Sequence, residues 1–176
     1  IKAKIKTEYL SLLQRKTQVM IEIRQLNPRE PFPWKLLYTA DPSREAVADY
    51  TARGVCFGAW ESGKIVGISV LLRTRPFTME LVNLAVEESC QGRGVGKRLI
   101  RHAVETARNA GCTVLEVGTG NSGIAQLALY QRCGFSIDSI DKDFFSRHYR
   151  EKIIENGIEC RHMIRLKMEL GEERIP

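Results

Sequence analysis

Residues 79–108 have the sequence MELVNLAVEESCQGRGVGKRLIRHAVETAR, and this stretch decides the fold. It opens with a largely apolar segment, 79–86, that predicts a strand. Three glycines follow at every second position, at Gly92, Gly94 and Gly96. From position 95 onward, apolar residues recur at helical spacing and charged residues occupy the opposite face. The stretch therefore predicts a strand, a glycine-rich turn and an amphipathic helix in direct succession.

The flanking segments extend this unit to a complete domain. Ahead of it, the pattern predicts a strand from Met20, two helices over 34–53 that Asp41-Pro42-Ser43 separates, and a β-hairpin over 55–72. Behind it, the pattern predicts a strand at 113–117, a turn at 118–123, a helix at 124–133, a strand at 135–140, a short helix and extended loop at 141–157, and a last strand at 160–170. The order β-αα-βββ-α-β-α-β-β predicts an α/β (α+β) fold. We expect a single mixed, mostly antiparallel sheet of six to seven strands with helices on both faces.

The composition is that of one globular domain. The chain has 176 residues, of which 43% are hydrophobic and 27% charged, which argues against a disordered chain. No window approaches the roughly 18 apolar residues of a membrane span. Residues 1–19 contribute +4 of the formal net charge of +6. We expect 1–19 to be an N-terminal extension with Met20 as the natural start, 20–170 to be the domain and 171–176 a tail.

The five cysteines give no sign of a disulfide framework or a zinc site. Their number is odd, they are widely scattered, and none forms a C-x-x-C pair. The three histidines also lack ligand spacing. We therefore expect reduced thiols in a cytoplasmic protein that uses no metal.

The glycine-rich turn has the features of a phosphate-binding loop. Glycines let the backbone approach an anion closely, and the start of the following helix carries partial positive charge. It is not a Walker A loop, because Gly96-Lys97 is followed by Arg98 and Gln91 stands where the first glycine belongs. It is not a Rossmann loop either, because Lys97 occupies the position of the third glycine.

The segment Gln91-Gly92-Arg93-Gly94-Val95-Gly96 resembles the Q/R-x-x-G-x-G/A loop of the GNAT family of N-acetyltransferases, which binds the pyrophosphate of acetyl-CoA. The surrounding strand and helix look like the fourth strand and third helix of that family. Leu129-Tyr130-Gln131-Arg132-Cys133-Gly134-Phe135 is similar to its L-Y-x-x-x-G-F signature. The resemblance is strong over 55–146, weaker from 20 to 170, and does not include 1–19.

This resemblance implies a set of residues that bind the co-substrate acetyl-CoA. The backbone of three strand residues would bind the pantetheine arm. The glycine loop and the basic side chains beside it would bind the phosphates. An asparagine after the next strand would also contact CoA. In this sequence they are Leu84, Ala85, Val86, Gln91, Gly92, Arg93, Gly94, Val95, Gly96, Lys97 and Asn121. Arg98 lies beside this group.

The resemblance also implies two catalytic side chains. Tyr130 would be the general acid that protonates the departing thiolate. Glu80 would be the general base, because it precedes Gln91 by eleven residues, as in the histone-acetyltransferase branch of the family. Glu116 and a relay of water molecules are the alternatives for the base. Strict alternation along the strand predicts one face formed by Glu80, Val82 and Leu84, and the other by Met79, Leu81, Asn83 and Ala85.

The function that follows is N-acetyl transfer from acetyl-CoA to a primary amine, directly within a ternary complex. The alternative is a CoA-binding regulatory or sensor protein without transfer activity. The acceptor is left open between a small-molecule amine and a protein amine, and a homodimer is also left open. No nucleic-acid or membrane partner is expected. We expect the aromatic, basic segment 144–149 to pack over the acceptor cleft, with stacking on a nucleobase as the alternative.

Overall fold

The computed structural model describes residues 20–27 and 29–171. The expected extension 1–19 and all but the first residue of the expected tail therefore lie outside the described residues. The first half of the domain contains β1 (Ile21–Gln25), α1 (Trp34–Ala40), α2 (Arg44–Arg53), β2 (Val55–Glu61), β3 (Lys64–Arg75) and β4 (Thr78–Val86). The second half contains α3 (Val95–Asn109), β5 (Val114–Gly120), α4 (Ile124–Arg132), β6 (Ser136–Asp141), α5 (Phe144–His148), β7 (Ile154–Glu155), β8 (Ile158–Glu159) and β9 (Met163–Glu169).

Seven strands form one mixed sheet in the order β1-β2-β3-β4-β5-β9-β6. The pairing of β4 with β5 is parallel and the other pairings in this sheet are antiparallel. This confirms the predicted fold class and element order. The sequence pattern did not predict the separate two-stranded hairpin of β7 and β8, which lies in the segment expected to be an extended loop. Strand β5 also continues through Gly120, into the expected turn.

Helices cover both faces of the sheet. On one face, α1 and α2 bury Leu37 and Val47 against Ile68 and Val70 of β3. On the other face, α3 supplies apolar residues every three to four positions, and they pack against β3, β4 and β5. The fully buried members on this second face include Leu81, Leu99, Ile100, Ala103 and Leu115. The sheet is therefore the middle of three layers, and any site at a break in the sheet lies between them.

A β-bulge at Val82 interrupts the alternation of β4. Opposite β3, Asn83 pairs with Val70 and Leu81 pairs with Leu71, so Val82 is the extra residue. Because of it, Leu84 packs on the α3 side with Leu81, while Asn83 lies on the α1–α2 side. The predicted grouping of Leu84 with Glu80, and of Asn83 with Leu81, is therefore wrong, since strict alternation holds only along a regular strand.

The same strand separates from β5 immediately after its paired segment. The parallel register joins Thr78–Leu81 to Val114–Val117 and extends no further. Beyond it, β4 continues to Val86 beside β3 alone, and β5 continues to Gly120 beside β9. A wedge-shaped opening thus lies in the middle of the sheet.

No helix within residues 20–27 and 29–171 is long and apolar enough to cross a bilayer. All five cysteines are free thiols, and four of them are buried.

Candidate active site

The opening between β4 and β5 exposes strand backbone in the middle of the sheet. Leu84, Ala85 and Val86 pair with β3 along one edge, and their other edge faces the opening rather than β5. Backbone N–H and C=O groups in such a position need partners from another source. An extended chain with amide groups can supply them in the manner of an added strand.

The glycine loop closes one end of this opening. Gly92 and Gly94 adopt left-handed φ angles of 70° and 81°. No described heavy atom lies within 4 Å of a Cβ added at either position, so this side of the loop is open. The Gln91 side-chain amide donates to the Val86 carbonyl at 3.1 Å and holds the loop against the end of β4.

Helix α3 directs its first N–H groups toward the loop. Gly94 is its N-cap residue, and the N–H of Arg98 donates to the Gly94 carbonyl at 3.1 Å. The preceding N–H groups, those of Val95, Gly96 and Lys97, belong to the first helical turn, which has no carbonyl partners within the helix. The N-terminus of this 15-residue helix is therefore suited to a phosphate group.

Arg93 is anchored to the neighbouring strand rather than left free. Its guanidinium forms a two-point ion pair with Glu61 at the end of β2, and it contacts the Cys90 thiol at 3.5 Å. The Glu61 carboxylate raises the pKa of Arg93. The sequence placed Arg93 among the phosphate-binding residues, but its first partner in the structure is this carboxylate.

Tyr130 lies in helix α4, next to Leu129, whose side chain approaches both the glycine loop and β4. A Cβ added at Gly96 would lie 3.6 Å from Leu129 and 3.8 Å from Val86, so the start of α3, α4 and β4 meet here. The Tyr130 side chain is 6% exposed, and its ring packs edge-on to Phe135. Burial raises the pKa of Tyr130 to about 12, so the phenol stays protonated at ordinary pH.

Glu80 lies on the α1–α2 side of β4, just before the bulge. Its side chain is 21% exposed, and burial raises the pKa of its carboxyl group. The Arg165 guanidinium, 3.8 Å away, acts in the opposite direction, as does Arg75, whereas the neighbouring Glu116 adds to the rise. Glu80 is thus a carboxylate with increased basicity beside the opening, which suits a general base.

Glu116 is opposite Glu80 in the parallel register but has a closer partner. Arg75, at the end of β3, is hydrogen-bonded to the Glu116 carboxylate. A base must have a free lone pair directed at the amine it deprotonates. This arrangement favours Glu80 over Glu116.

Asn121 uses much of its hydrogen-bonding capacity inside the protein. Its side-chain oxygen accepts from the backbone N–H groups of Arg161 and His162, both at 2.8 Å. Its amide donates to the Glu159 carbonyl at 3.0 Å. One amide hydrogen is left for a ligand. Asn121 therefore orders the start of β9, and its contact with CoA stays a prediction.

Residues 142–162, here called the roof segment, contact both the end of β5 and the loop between α1 and α2. Phe145 of α5 lies close to Gly120 at the end of β5. The Tyr149 hydroxyl donates to Asp41, between α1 and α2, at 3.1 Å. This contact supports the expected packing over the cleft, and it joins parts of the chain 108 residues apart.

A hydrogen-bonded network continues from Asp41 down to the sheet. The Asn83 amide donates to the Tyr50 hydroxyl at 2.8 Å and to the Leu37 carbonyl at 3.2 Å. Tyr50 in turn contacts Asp41, which raises the pKa of the Tyr50 phenol after the larger effect of burial. Sequence reasoning missed Asp41, Tyr50 and Tyr149, because only the fold brings them together.

The glycine loop and the free edge of β4 are suited to a ligand that carries both phosphate and amide groups. The N–H groups of the glycine loop match a pyrophosphate, and the free edge of β4 matches the amides of a pantetheine arm. The loop and the edge meet at Val86, where Gln91 joins them. Among the described residues no group of three or more His, Cys, Asp or Glu side chains gathers as metal ligands.

The model of the acetyltransferase (GNAT) family matches residues 18–135. The chain belongs to this family. A Bacillus subtilis (strain 168) protein described as an uncharacterized N-acetyltransferase, YvbK, is 53% identical over 137 residues, which are 78% of this chain and 88% of that protein. The GNAT chain is therefore an acyltransferase.

Solved GNAT structures agree with this assignment. An IAA acetyltransferase from Bacillus cereus ATCC 14579 is 57% identical with a TM-score of 0.81, over 85% of this chain and 99% of that one. A GNAT family acetyltransferase from Elizabethkingia anophelis, with acetyl-CoA bound, is 42% identical with a TM-score of 0.83. That alignment covers 85% of this chain and 97% of the other.

Proposed function

We propose that this GNAT protein transfers the acetyl group of acetyl-CoA to a primary amine, directly within a ternary complex. The observation that carries the proposal is the opening after Val82. The glycine loop follows the end of β4, Tyr130 packs in the core on the α3 side of the sheet, and Glu80 lies on the α1–α2 side. The carboxylate and the phenol thus flank the two sides from which an amine and a thioester would meet.

The residues proposed to hold acetyl-CoA act mainly through their backbone. Leu84, Ala85 and Val86 would bind the pantetheine arm along the free edge of β4. The N–H groups of 92–97 would bind the pyrophosphate, with the Lys97 side chain as a counter-charge. One N–H group of the β4 edge would also stabilise the negative charge that develops on the thioester oxygen. Arg93 would support the loop through Glu61, and Asn121 would add one amide hydrogen.

Glu80 is the proposed base. In the transfer, the amine nitrogen forms a bond to the acetyl carbon, the carbon–sulfur bond breaks, and the amine loses a proton. Glu80 lies on the acceptor side of β4 and would accept that proton, either directly or through one water molecule. Its raised pKa increases its affinity for the proton.

Tyr130 is the proposed acid. It lies on the cofactor side and would donate its proton, or at least a hydrogen bond, to the departing thiolate sulfur. Because burial raises the pKa of Tyr130 to about 12, we expect the donor proton to be present throughout the usual assay range. Membership of an acyltransferase family favours transfer over the regulatory alternative, which would not need these groups.

The proposed acceptor is a small-molecule amine or a protein amine. No metal takes part in the proposal. The five free thiols suit a reducing compartment, so we propose the cytoplasm as the location. A homodimer remains open to direct measurement.

An acceptor screen tests the proposal. Purified protein and acetyl-CoA are incubated with a panel of primary amines, and released CoA thiol is measured together with the N-acetylated product. We expect equal amounts of thiol and product with at least one amine. Thiol release at the same rate with and without every amine would contradict the proposal.

A further inference from the structure

Arg165 occupies an unusual position beside Glu80. It lies on β9, and its guanidinium is stacked over the Phe144 ring of the roof segment, 5.7 Å from the centroid. Its side chain is 39% exposed, so a small molecule in the cleft can reach it. Sequence reasoning did not single it out, because 85 residues separate it from Glu80 along the chain.

The contacts of Arg165 with carboxylates are long. It lies 3.8 Å from a Glu80 oxygen and 3.5 Å from an Asp141 oxygen. By contrast, Arg161 contacts Asp143 at 2.7 Å in a hydrogen-bonded ion pair. A guanidinium has five N–H donors arranged to bind a carboxylate at two points. Arg165 therefore retains donors that its neighbours do not satisfy at close range.

Glu80 and Arg165 together present one negative and one positive group side by side. A free α-amino acid presents the complementary pair, an ammonium and a carboxylate on adjacent carbon atoms. We propose that Arg165 binds the carboxylate of the acceptor, that the acceptor amine then lies against Glu80, and that the acceptor is a free α-amino acid. This inference rests on the function proposed above and specifies its substrate class.

The charge balance of the cleft agrees with a zwitterion. Glu116 is hydrogen-bonded to Arg75, and Asp141 is hydrogen-bonded to Arg147. A zwitterion between Glu80 and Arg165 adds no net charge to this arrangement. A polyamine or an aminoglycoside would bring several positive charges beside Arg165, and like charges at short range are unfavourable in a half-buried cleft.

The roof segment favours a small acceptor over a protein chain terminus. The Tyr149–Asp41 hydrogen bond joins the roof segment to the loop between α1 and α2, across the acceptor side. A folded protein surface would have to displace this contact before its terminus reached Glu80. A free amino acid has no such surface attached to its amine.

Matched amine series test the proposal. The twenty proteinogenic L-amino acids are assayed beside their carboxamides and their decarboxylated amines, with CoA thiol release as the readout. We expect at least one amino acid to be acetylated, with kcat/KM about 10- to 100-fold above that of its carboxamide, because a charge-assisted two-point contact is lost. Arg165→Gln should bring this ratio close to one by raising the KM of the amino acid. Arg165→Lys should retain part of the preference.

The controls separate binding from structural effects. Arg161→Gln removes a nearby arginine of the roof segment that is paired with Asp143, and the acid-to-amide ratio should not change. Two results would overturn the inference. One is an equal kcat/KM of the wild type for amino acids and their carboxamides. The other is an equal loss of kcat/KM for both kinds of substrate in Arg165→Gln. Acetylation of amines or peptides without any amino acid would also overturn it and leave the proposed function standing. No thiol release with any compound would instead count against the proposed function.

Discussion

Glu80 and Glu116 are directly opposite each other in the parallel register of β4 and β5, and Arg75 is hydrogen-bonded to Glu116. Two negative carboxylates at paired positions repel each other. The repulsion raises the proton affinity of the carboxylate whose positively charged partner is more distant. That residue is Glu80, whose contact with Arg165 is long and whose pKa is raised by burial. Two chemically identical side chains therefore have different electrostatic surroundings.

The first prediction concerns Glu80→Gln. A base works only in its deprotonated form, so the rate of the wild-type enzyme should rise with pH through the pKa of Glu80, which lies above the ordinary glutamate value. Glu80→Gln should remove this acidic limb and lower kcat by about 10²- to 10⁴-fold. The measurement is a pH profile of kcat with the acceptor found in the screen.

Glu116→Gln is the matched control for that variant. It leaves Glu80 in place, so its profile should keep the acidic limb.

Burial raises the pKa of Glu80, so the folded state binds this proton more tightly than the unfolded state does, and ionisation of Glu80 costs stability at neutral pH. Glu80→Gln should therefore melt no lower than the wild type. An unchanged acidic limb in Glu80→Gln would rule out Glu80 as the base.

The second prediction concerns Tyr130→Phe. The ring still packs against Phe135, so folding and the dissociation constant of acetyl-CoA should be unchanged. Loss of the hydroxyl should lower kcat by about 10²-fold or more, because the thiolate departs without its proton donor. Calorimetric binding of acetyl-CoA and kcat at saturating substrates are the two measurements. Unchanged kcat would remove Tyr130 from the mechanism.

The third prediction concerns the left-handed glycines. Ala at position 94 meets no steric obstacle but must adopt φ near 81°, which costs about 1–2 kcal/mol for an L-residue. Gly94→Ala should therefore lower stability and also weaken acetyl-CoA binding, because the loop N–H groups move. Gly111 has a similar φ of 70° and an open position just after the C-terminal end of α3, at the opposite end of that helix from the loop. Gly111→Ala should cost similar stability and leave acetyl-CoA affinity unchanged.

The fourth prediction concerns Glu61, which contacts the glycine loop through Arg93. Its partner Arg93 is within the glycine loop, so Glu61→Gln should loosen the loop and weaken acetyl-CoA binding. Arg93→Gln should weaken it to a similar extent, and the double variant should add little more, because both changes break one contact. Isothermal titration of the wild type, the two single variants and the double variant with acetyl-CoA gives the coupling free energy between Glu61 and Arg93. Strictly additive losses would show that Arg93 binds the cofactor itself.

The local sequence was enough to predict the elements that have a characteristic sequence pattern of their own. The glycine loop and helix α3 follow from residues 91–109, where glycine spacing and helical periodicity agree. The helix that carries Tyr130 follows in the same way from residues 124–133, whereas the role of Tyr130 is implied by the L-Y-x-x-x-G-F resemblance and stays a prediction. These features depend on interactions between residues within about 20 positions of each other, and such interactions leave patterns that one sequence is enough to detect.

The features that the sequence did not reveal depend on distant partners. The bulge at Val82 has no glycine or proline to mark it, and it becomes visible only when β4 is aligned with β3. Arg165, Asp41 and Tyr149 reach the site from separate segments of the chain. Arg93 was assigned to phosphate because its spacing suited that role, whereas its nearest carboxylate, Glu61, is 32 residues away.

The most direct test of the central claim is an initial-velocity study with acetyl-CoA and the acceptor found in the screen, both varied, with CoA thiol and N-acetylated product measured together. Direct transfer predicts intersecting double-reciprocal lines and one product molecule per thiol released. Parallel lines, which indicate an acetylated enzyme, or thiol release without acetylated product, would contradict the account.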